Sequence, residues 1–314
     1  AGIERQALIQ FLFFSQWRSL RERCHAAGVL VVGDAPIFVS HDSADVWAHP
    51  ELFYLDEAGQ PTVVAGVPPD YFSPTGQLWG NPVYDWDAHR ETGFAWWVRR
   101  LRATLEMVDL VRLDHFRGFC AAWHVGAKET TAIHGQWVPG PGADLFTKLR
   151  SDLGELPLIA EDLGEITPDV YALRDNFRLP GMKVLQFAFD SPKNGFLPHN
   201  YSPNCVAYMG THDNDTTRGW YETLEEQPKW LLNRYRRTTA ETVSWDLLEM
   251  AWGSVATIAI APAQDVLGLG TKARMNKPGT EQGNWQWRLA NSAFDDRTIQ
   301  RLAELTELYA RTKE

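Results

Sequence analysis

Five acidic residues stand at the polar end of short apolar runs: Asp34, Asp114, Glu161, Asp190 and Asp213. The sharpest is Asp114 in "VDLVRLDHFRG" (108–118), with Arg112 two residues before it and Arg117 three after. An adjacent guanidinium favours the ionised carboxylate, so Asp114 could act as a nucleophile at neutral pH. A structural ion pair with Arg112 or Arg117 is the plainer reading of the same residues. Glu161 closes the next run, "LPLIAEDLG" (156–164). Two carboxyls in one pocket, one paired with arginine and the other less so, is the arrangement that separates base from acid. Helix capping competes for this stretch, and Asp162 is the better cap of the two acids.

"GTHDNDT" (210–216) sets His212, Asp213 and Asp215 past a strand-like run. His/Asp clusters can bind metal. No H-x-H stands on another strand, so the reading is no metal: His212 and Asp213 bond a ligand's hydroxyls, and Asp215 or Thr216 caps a helix. Asn276 falls in a tight loop, "ARMNKPGT" (273–280), after the last run.

These residues need a scaffold that gathers strand ends. Six apolar runs (29–39, 108–116, 156–164, 182–190, 205–215 and 255–268) alternate with helical patterns at 90–106, 143–153, 167–177 and 240–253, after a helix over 3–27 carrying Leu8, Leu12, Trp17 and Leu20. Runs apolar on both faces, alternating with helices, read as βα units on a parallel sheet. Acids at C-terminal strand ends suit a (β/α)₈ barrel or the crevice of an open sheet. Convergence of acids from five strands favours the barrel. No GxGxxG follows a strand, which leaves dinucleotide binding unsupported.

The expected fold is therefore α/β, a (β/α)₈ TIM barrel lacking its first strands, because six runs fall short of eight. Residues 1–314 would be its C-terminal catalytic portion, and runs 29–39 and 255–262 would not pair with each other. Two strands from residues absent here, or from another chain, would fill the gap. Residues 40–88 read as a lobe inserted after the first strand present. Its Pro-stiffened stretch "GVPPDYFSPTGQLWGNPVYDW" (66–86) has no period and holds Tyr71, Phe72, Trp79 and Trp86. Those rings could form a small core or a wall that stacks on sugars.

Bulk composition narrows the ligand. The chain has 314 residues, 44% of them hydrophobic, and a net charge of −10, which disfavours nucleic acid and anionic membrane surfaces. Three scattered cysteines fit a reducing, cytoplasmic setting. No apolar run reaches about 18 residues, and residues 1–27 have no signal-peptide pattern. Fourteen Trp, nine Tyr and fifteen Phe, many in loop-like contexts, point to a neutral, ring-stacking ligand.

Seven stretches together resemble the 4-α-glucanotransferase (amylomaltase, disproportionating enzyme) family of the α-amylase clan. They are "GDAPIFVSHDSADVW" (33–47), the 66–86 stretch, "VRLDHFRGF" (111–119), "IAEDLGEIT" (159–167), "MKVLQFAF" (182–189), "GTHDNDT" and "APAQDVLGLG" with "MNKPGTEQGNW". Nearly the whole chain is covered, in the family's order. The family's N-terminal part, with a motif of the "TSLPS" kind, has no counterpart.

The resemblance implies cleavage of an α-1,4-glucosidic bond and transfer of the glucan to another sugar's 4-hydroxyl, without cofactor, on maltooligosaccharides and other α-1,4-glucans. It implies Asp114 as nucleophile, Glu161 as general acid/base and Asp213 as the acid holding the 2- and 3-hydroxyls. Arg112 and His212 would support that subsite. Asp34, Asp70, Phe72, Gln77, Trp79, Asp190 and Asn276 would line the glucan groove. A retaining α-1,4-glycoside hydrolase and a non-catalytic carbohydrate-binding fragment stand as alternatives. Product analysis and binding without turnover, respectively, would identify them.

Overall fold

The computed structural model describes residues 2–70, 73–280 and 282–312. The chain divides into two units, Ala1–Pro180 and Gly181–Glu314, each with its own apolar core.

The first unit opens with helix α1 (Gly2–Ala26), strand β1 (Val32–Pro36) and a short helix α2 (Ala44–Ala48). Strands β2 (Val63–Val67) and β3 (Gln77–Pro82) follow, then helices α3 (Trp86–Glu91) and α4 (Ala95–Met107). Next come β4 (Leu110–Asp114), β5 (Ala121–Gly126), β6 (Gly135–Pro139) and α5 (Gly142–Leu153). Strand β7 (Leu158–Ala160) and helix α6 (Pro168–Asn176) complete the unit.

Strands β1, β4 and β7 pair in parallel, with Asp34 opposite Arg112 and Leu113 opposite Ala160. The middle of β4 and all of β7 are buried, as runs covered on both faces must be. Helix α4 turns Trp96, Trp97, Val98 and Leu101 inward, and α5 turns Leu145, Phe146 and Leu149 inward, at the spacing of one helical stripe.

The helix read over 3–27 is present, but it does not bury the stripe its spacing suggests. No described residue of α1 is buried, and Leu8, Leu12 and Leu20 stay exposed. Polar contacts pin the helix instead: Trp17 Nε1 donates to the Met107 carbonyl at 2.8 Å, and Arg21 meets Asp109 at 2.6 Å. Strand β1 likewise leaves Val32 exposed, and among the described residues its ladder runs to β4.

A second, antiparallel sheet has the order β3-β2-β5-β6. The aperiodic 66–86 stretch thus contains a strand, and half of this sheet comes from 121–139, outside the 40–88 boundary. Strand β3 reads Gln-Leu-Trp-Gly-Asn-Pro and buries little, so no apolar alternation announces it. Trp86 joins the unit's main core beside Tyr84 and Trp97, whereas Trp79 remains 37% exposed. Tyr71 and Phe72 lie outside the described residues.

The second unit runs β8 (Gly181–Val184), β9 (Cys205–Tyr208), α7 (Thr217–Thr223), α8 (Glu226–Tyr235) and α9 (Val243–Trp252). Strand β10 (Ile258–Ile260) and helices α10 (Ala263–Val266) and α11 (Asp296–Leu308) follow. Strand β9 pairs in parallel with β8 and with β10. All six apolar runs of the sequence therefore contain a strand of a parallel ladder. No helix among the described residues is long and apolar enough to cross a membrane.

Candidate active site

The first unit's site follows from register. Arg112 sits directly across from Asp34, and its Nη1 meets both Asp34 carboxylate oxygens at 2.9 and 2.8 Å. Asp114, two residues on and so on the same face of β4, pairs with Nη2 of Arg112 at 2.8 Å. One arginine thus spans two carboxylates. Burial works against its charge, but Asp114, Asp34 and Glu161 more than offset this and hold the guanidinium firmly protonated.

Glu161 follows Ala160, which pairs with Leu113, so Glu161 falls level with Asp114. Its N–H donates to the Leu113 carbonyl at 3.0 Å. Its carboxylate accepts the His115 N–H on Oε2 at 2.7 Å and the Leu163 N–H on Oε1 at 2.9 Å. Burial, and secondarily the charge of Asp114, raise its pKa to about 7 against the pull of Arg112 and the two N–H groups. Two neighbouring carboxyls thus have unlike surroundings: one ion-paired, the other enclosed and ready to hold a proton at neutral pH.

Two expectations about neighbours change. Arg117 does not serve Asp114; it donates to the Glu165 carbonyl and lies over the Trp137 ring at 3.9 Å. Asp162 caps no helix: the cap position of α6 is Thr167, and Asp162 is a buried partner of Arg174 at 2.5 Å. Seven residues, 161–167, separate β7 from α6, too many for an acid at the strand end to reach the helix.

Trp79 projects from β3 with Nε1 on Gln77 Oε1 at 3.2 Å and its ring edge-on to His115 at 4.7 Å. Asp70 accepts the Ser73 N–H at 2.7 Å in the loop before β3. Phe72 falls outside the described residues.

In the second unit Asp213 is half-exposed and held from two sides. Asn276 Nδ2 donates to its Oδ1 at 2.6 Å, and Arg274 Nη2 donates to its main-chain carbonyl at 2.6 Å. His212 Nε2 lies 3.5 Å from the same Oδ1, its ring 5.2 Å from that of Trp285. The Asn276 N–H closes the loop by donating to the His212 carbonyl at 3.0 Å. Thr216 is the cap of α7, accepting the Gly219 N–H at 3.2 Å. Asp190 stands apart from these groups: its carboxylate accepts Asn194 Nδ2 at 2.6 Å in an exposed loop.

Sequence reasoning did not find His115, Arg274 or Trp285. His115 and Arg274 act through a backbone turn and a backbone carbonyl, which residue type does not reveal. Their signal was proximity alone: each lies within two residues of a singled-out site residue.

The family model for 4-alpha-glucanotransferase matches residues 1–293. A 4-alpha-glucanotransferase of Thermus thermophilus is 54% identical over 310 residues, 96% of this chain and 62% of that protein. The chloroplastic/amyloplastic 4-alpha-glucanotransferase of Solanum tuberosum is 49% identical over 96% of this chain and 53% of its own length. Among solved structures, the amylomaltase from Streptococcus agalactiae in complex with acarbose matches with a TM-score of 0.94 and 40% identity, over 98% of this chain and 62% of that one. The chain thus spans somewhat under two thirds of the length of these relatives.

Proposed function

This chain belongs to the 4-alpha-glucanotransferase family, and from that premise we propose that it transfers α-1,4-glucan segments between maltooligosaccharides by a retaining double displacement. The observation that carries the reading is the level pair of carboxyls: Asp114 ion-paired to Arg112 at 2.8 Å, and Glu161 raised to about 7 by burial and by Asp114.

Asp114 attacks the anomeric carbon while Glu161 gives its proton to the departing glycosidic oxygen. The glucosyl–Asp114 ester holds the donor sugar. Glu161, now ionised, takes the proton of an acceptor 4-hydroxyl, which displaces Asp114 and restores the α configuration. A proton affinity near working pH suits a group that must give and then take a proton. Arg112 holds Asp114 and Asp34 in place and stabilises the charge that returns to Asp114.

Asp213, steadied by Asn276 and Arg274, is assigned the 2- and 3-hydroxyls, with His212 as its partner. Asp34, Asp70, Phe72, Gln77, Trp79, Asp190 and Asn276 are assigned to the glucan groove, Trp79 as a stacking ring in the lobe wall. The reading needs no cofactor and no metal, only neutral sugars, and the acarbose bound by the Streptococcus agalactiae relative supports this ligand class. The free cysteines Cys24, Cys120 and Cys205 fit a reducing compartment such as the cytoplasm.

We also propose the eight-stranded barrel, with two strands beyond the six described here. The exposed apolar residues of α1, and the side of β1 that carries no ladder among the described residues, are surfaces that such strands and their helices would cover.

Incubation with maltotriose tests the reading. Glucose together with chains longer than maltotriose is expected. Glucose and maltose alone would make the chain a hydrolase, and unchanged but bound maltotriose would make it a binding fragment.

A further inference from the structure

The residue after Asp114 adopts a costly backbone. His115 has φ 54 and ψ 50, the left-handed region in which the Cβ of a non-glycine residue crowds the following carbonyl oxygen. That turn does two things at once. It takes the chain out of β4 and aims the His115 N–H at Glu161 Oε2, 2.7 Å away. It also sets the imidazole against the aromatic wall, 4.7 Å from the Trp79 ring at 86° and 6.3 Å from that of Phe38.

Gly118 makes the room. A Cβ there would lie 2.8 Å from Ile37 Cδ1 and 3.1 Å from His115 Cδ2. The enclosed Nε2 of His115 has no hydrogen-bond partner among the described residues, and burial, then Arg117, lower its pKa to about 4. The ring is neutral and contributes shape rather than charge.

We propose that His115 is a positioning residue that couples two working surfaces: its left-handed backbone fixes the Glu161 carboxyl, and its ring sets the tilt of Trp79. The proposal rests on the reading of Glu161 as proton carrier and Trp79 as sugar-stacking ring. The groups that face Glu161 are Asp114 and Arg112 from β4, Asp34 of β1 through Arg112, and the N–H of Leu163 on its own segment.

Two readouts separate the roles. The Glu161 carboxyl is titrated by ¹³C NMR in glutamate-labelled protein, its signal assigned with Glu161→Gln; this needs no turnover. Steady-state kinetics on maltotriose supplies KM and kcat. His115→Gly keeps the positive φ and the N–H but removes the ring. Its Glu161 titration should match wild type while KM rises about five- to tenfold through loss of the ring contact under Trp79.

His115→Val cannot hold the left-handed turn, so the N–H leaves Glu161. The titration should then move up by about half a pH unit or more, because a donor to the charged form is lost. His115→Asn, which tolerates this backbone, should restore it. Should the Val variant not fold, His115→Ala gives the same direction at less strain. Equal Glu161 titrations in the Gly and Val (or Ala) variants, or an unchanged KM in His115→Gly, would overturn the proposal. A wild-type chain without turnover would sink the functional reading, and the titration contrast would then decide His115 by itself.

Discussion

Glu161 in the first unit and Asp265 in the second are both buried carboxyls with raised proton affinity, yet the proposed reading gives them different work. Glu161 is raised to about 7 by burial and then by Asp114. Asp265, 1% exposed on α10, is raised to about 6 by burial, with Asp215 adding to it. Their partners differ. Asp265 accepts both the N–H and the hydroxyl of Thr217 at 2.7 Å, which ties α10 to the first turn of α7. Glu161 accepts two backbone N–H groups and stands level with a second carboxylate that is 43% exposed. A raised pKa therefore records burial; what marks a reacting site is an accessible, ion-paired carboxylate beside it.

The comparison breaks most visibly at Asp114. Asp114→Asn removes the proposed nucleophile and should lower kcat on maltotriose by about 10⁴-fold or more without changing the fold, as circular dichroism would verify. Retention of transfer within tenfold would remove Asp114 from the mechanism. Glu161→Gln should cost about 10²- to 10⁴-fold, the usual worth of a proton carrier, and should delete the basic limb near pH 7 from the rate profile. Asp265→Asn should leave that limb where it is.

Asp265 should show itself in stability instead. Its folded pKa, about 6, lies above the ordinary 3.8, so the folded state binds the extra proton. Its contribution is complete below pH 3.8 and is lost as pH rises through 6, about 3 kcal/mol in all. Urea titrations across that window should give a shallower loss of stability in Asp265→Asn than in wild type, the remainder coming from Glu161, whose pKa is also raised; equal slopes would refute the assignment. Smallest of the set, Trp79→Ala should weaken maltotriose binding by about 1–2 kcal/mol through lost stacking. A lowered Tm with unchanged affinity would make Trp79 a core residue of the lobe.

What the sequence revealed and what it hid divide along physical lines. The strands β4, β7 and β9 are buried on both faces, and an apolar run is the only way to satisfy that. The acids beyond them were therefore easy to place at strand ends. Strand β3 was hidden because its pairing with β2 is carried by backbone hydrogen bonds, with Trp79 and Asn81 turned outward or only partly covered. Asp265 lies in "APAQDVLG" among small and apolar residues, and only the fold brings Thr217 to it. His115 was passed over because the role proposed for it resides in a positive φ, which its residue type does not advertise. The opposite error occurred at α1, whose spacing suggested packing that Leu8, Leu12 and Leu20 do not make.

The most direct test of the paired-carboxyl account is to trap the intermediate. Glu161→Gln, given a glucosyl donor whose leaving group needs no proton, should accumulate a covalent glucosyl enzyme, because formation no longer depends on the acid while breakdown still lacks the base. Peptide mass spectrometry after rapid acid quench should find the glucosyl group on Asp114. An adduct on any other residue, or steady product formation with no adduct at all, would contradict the account.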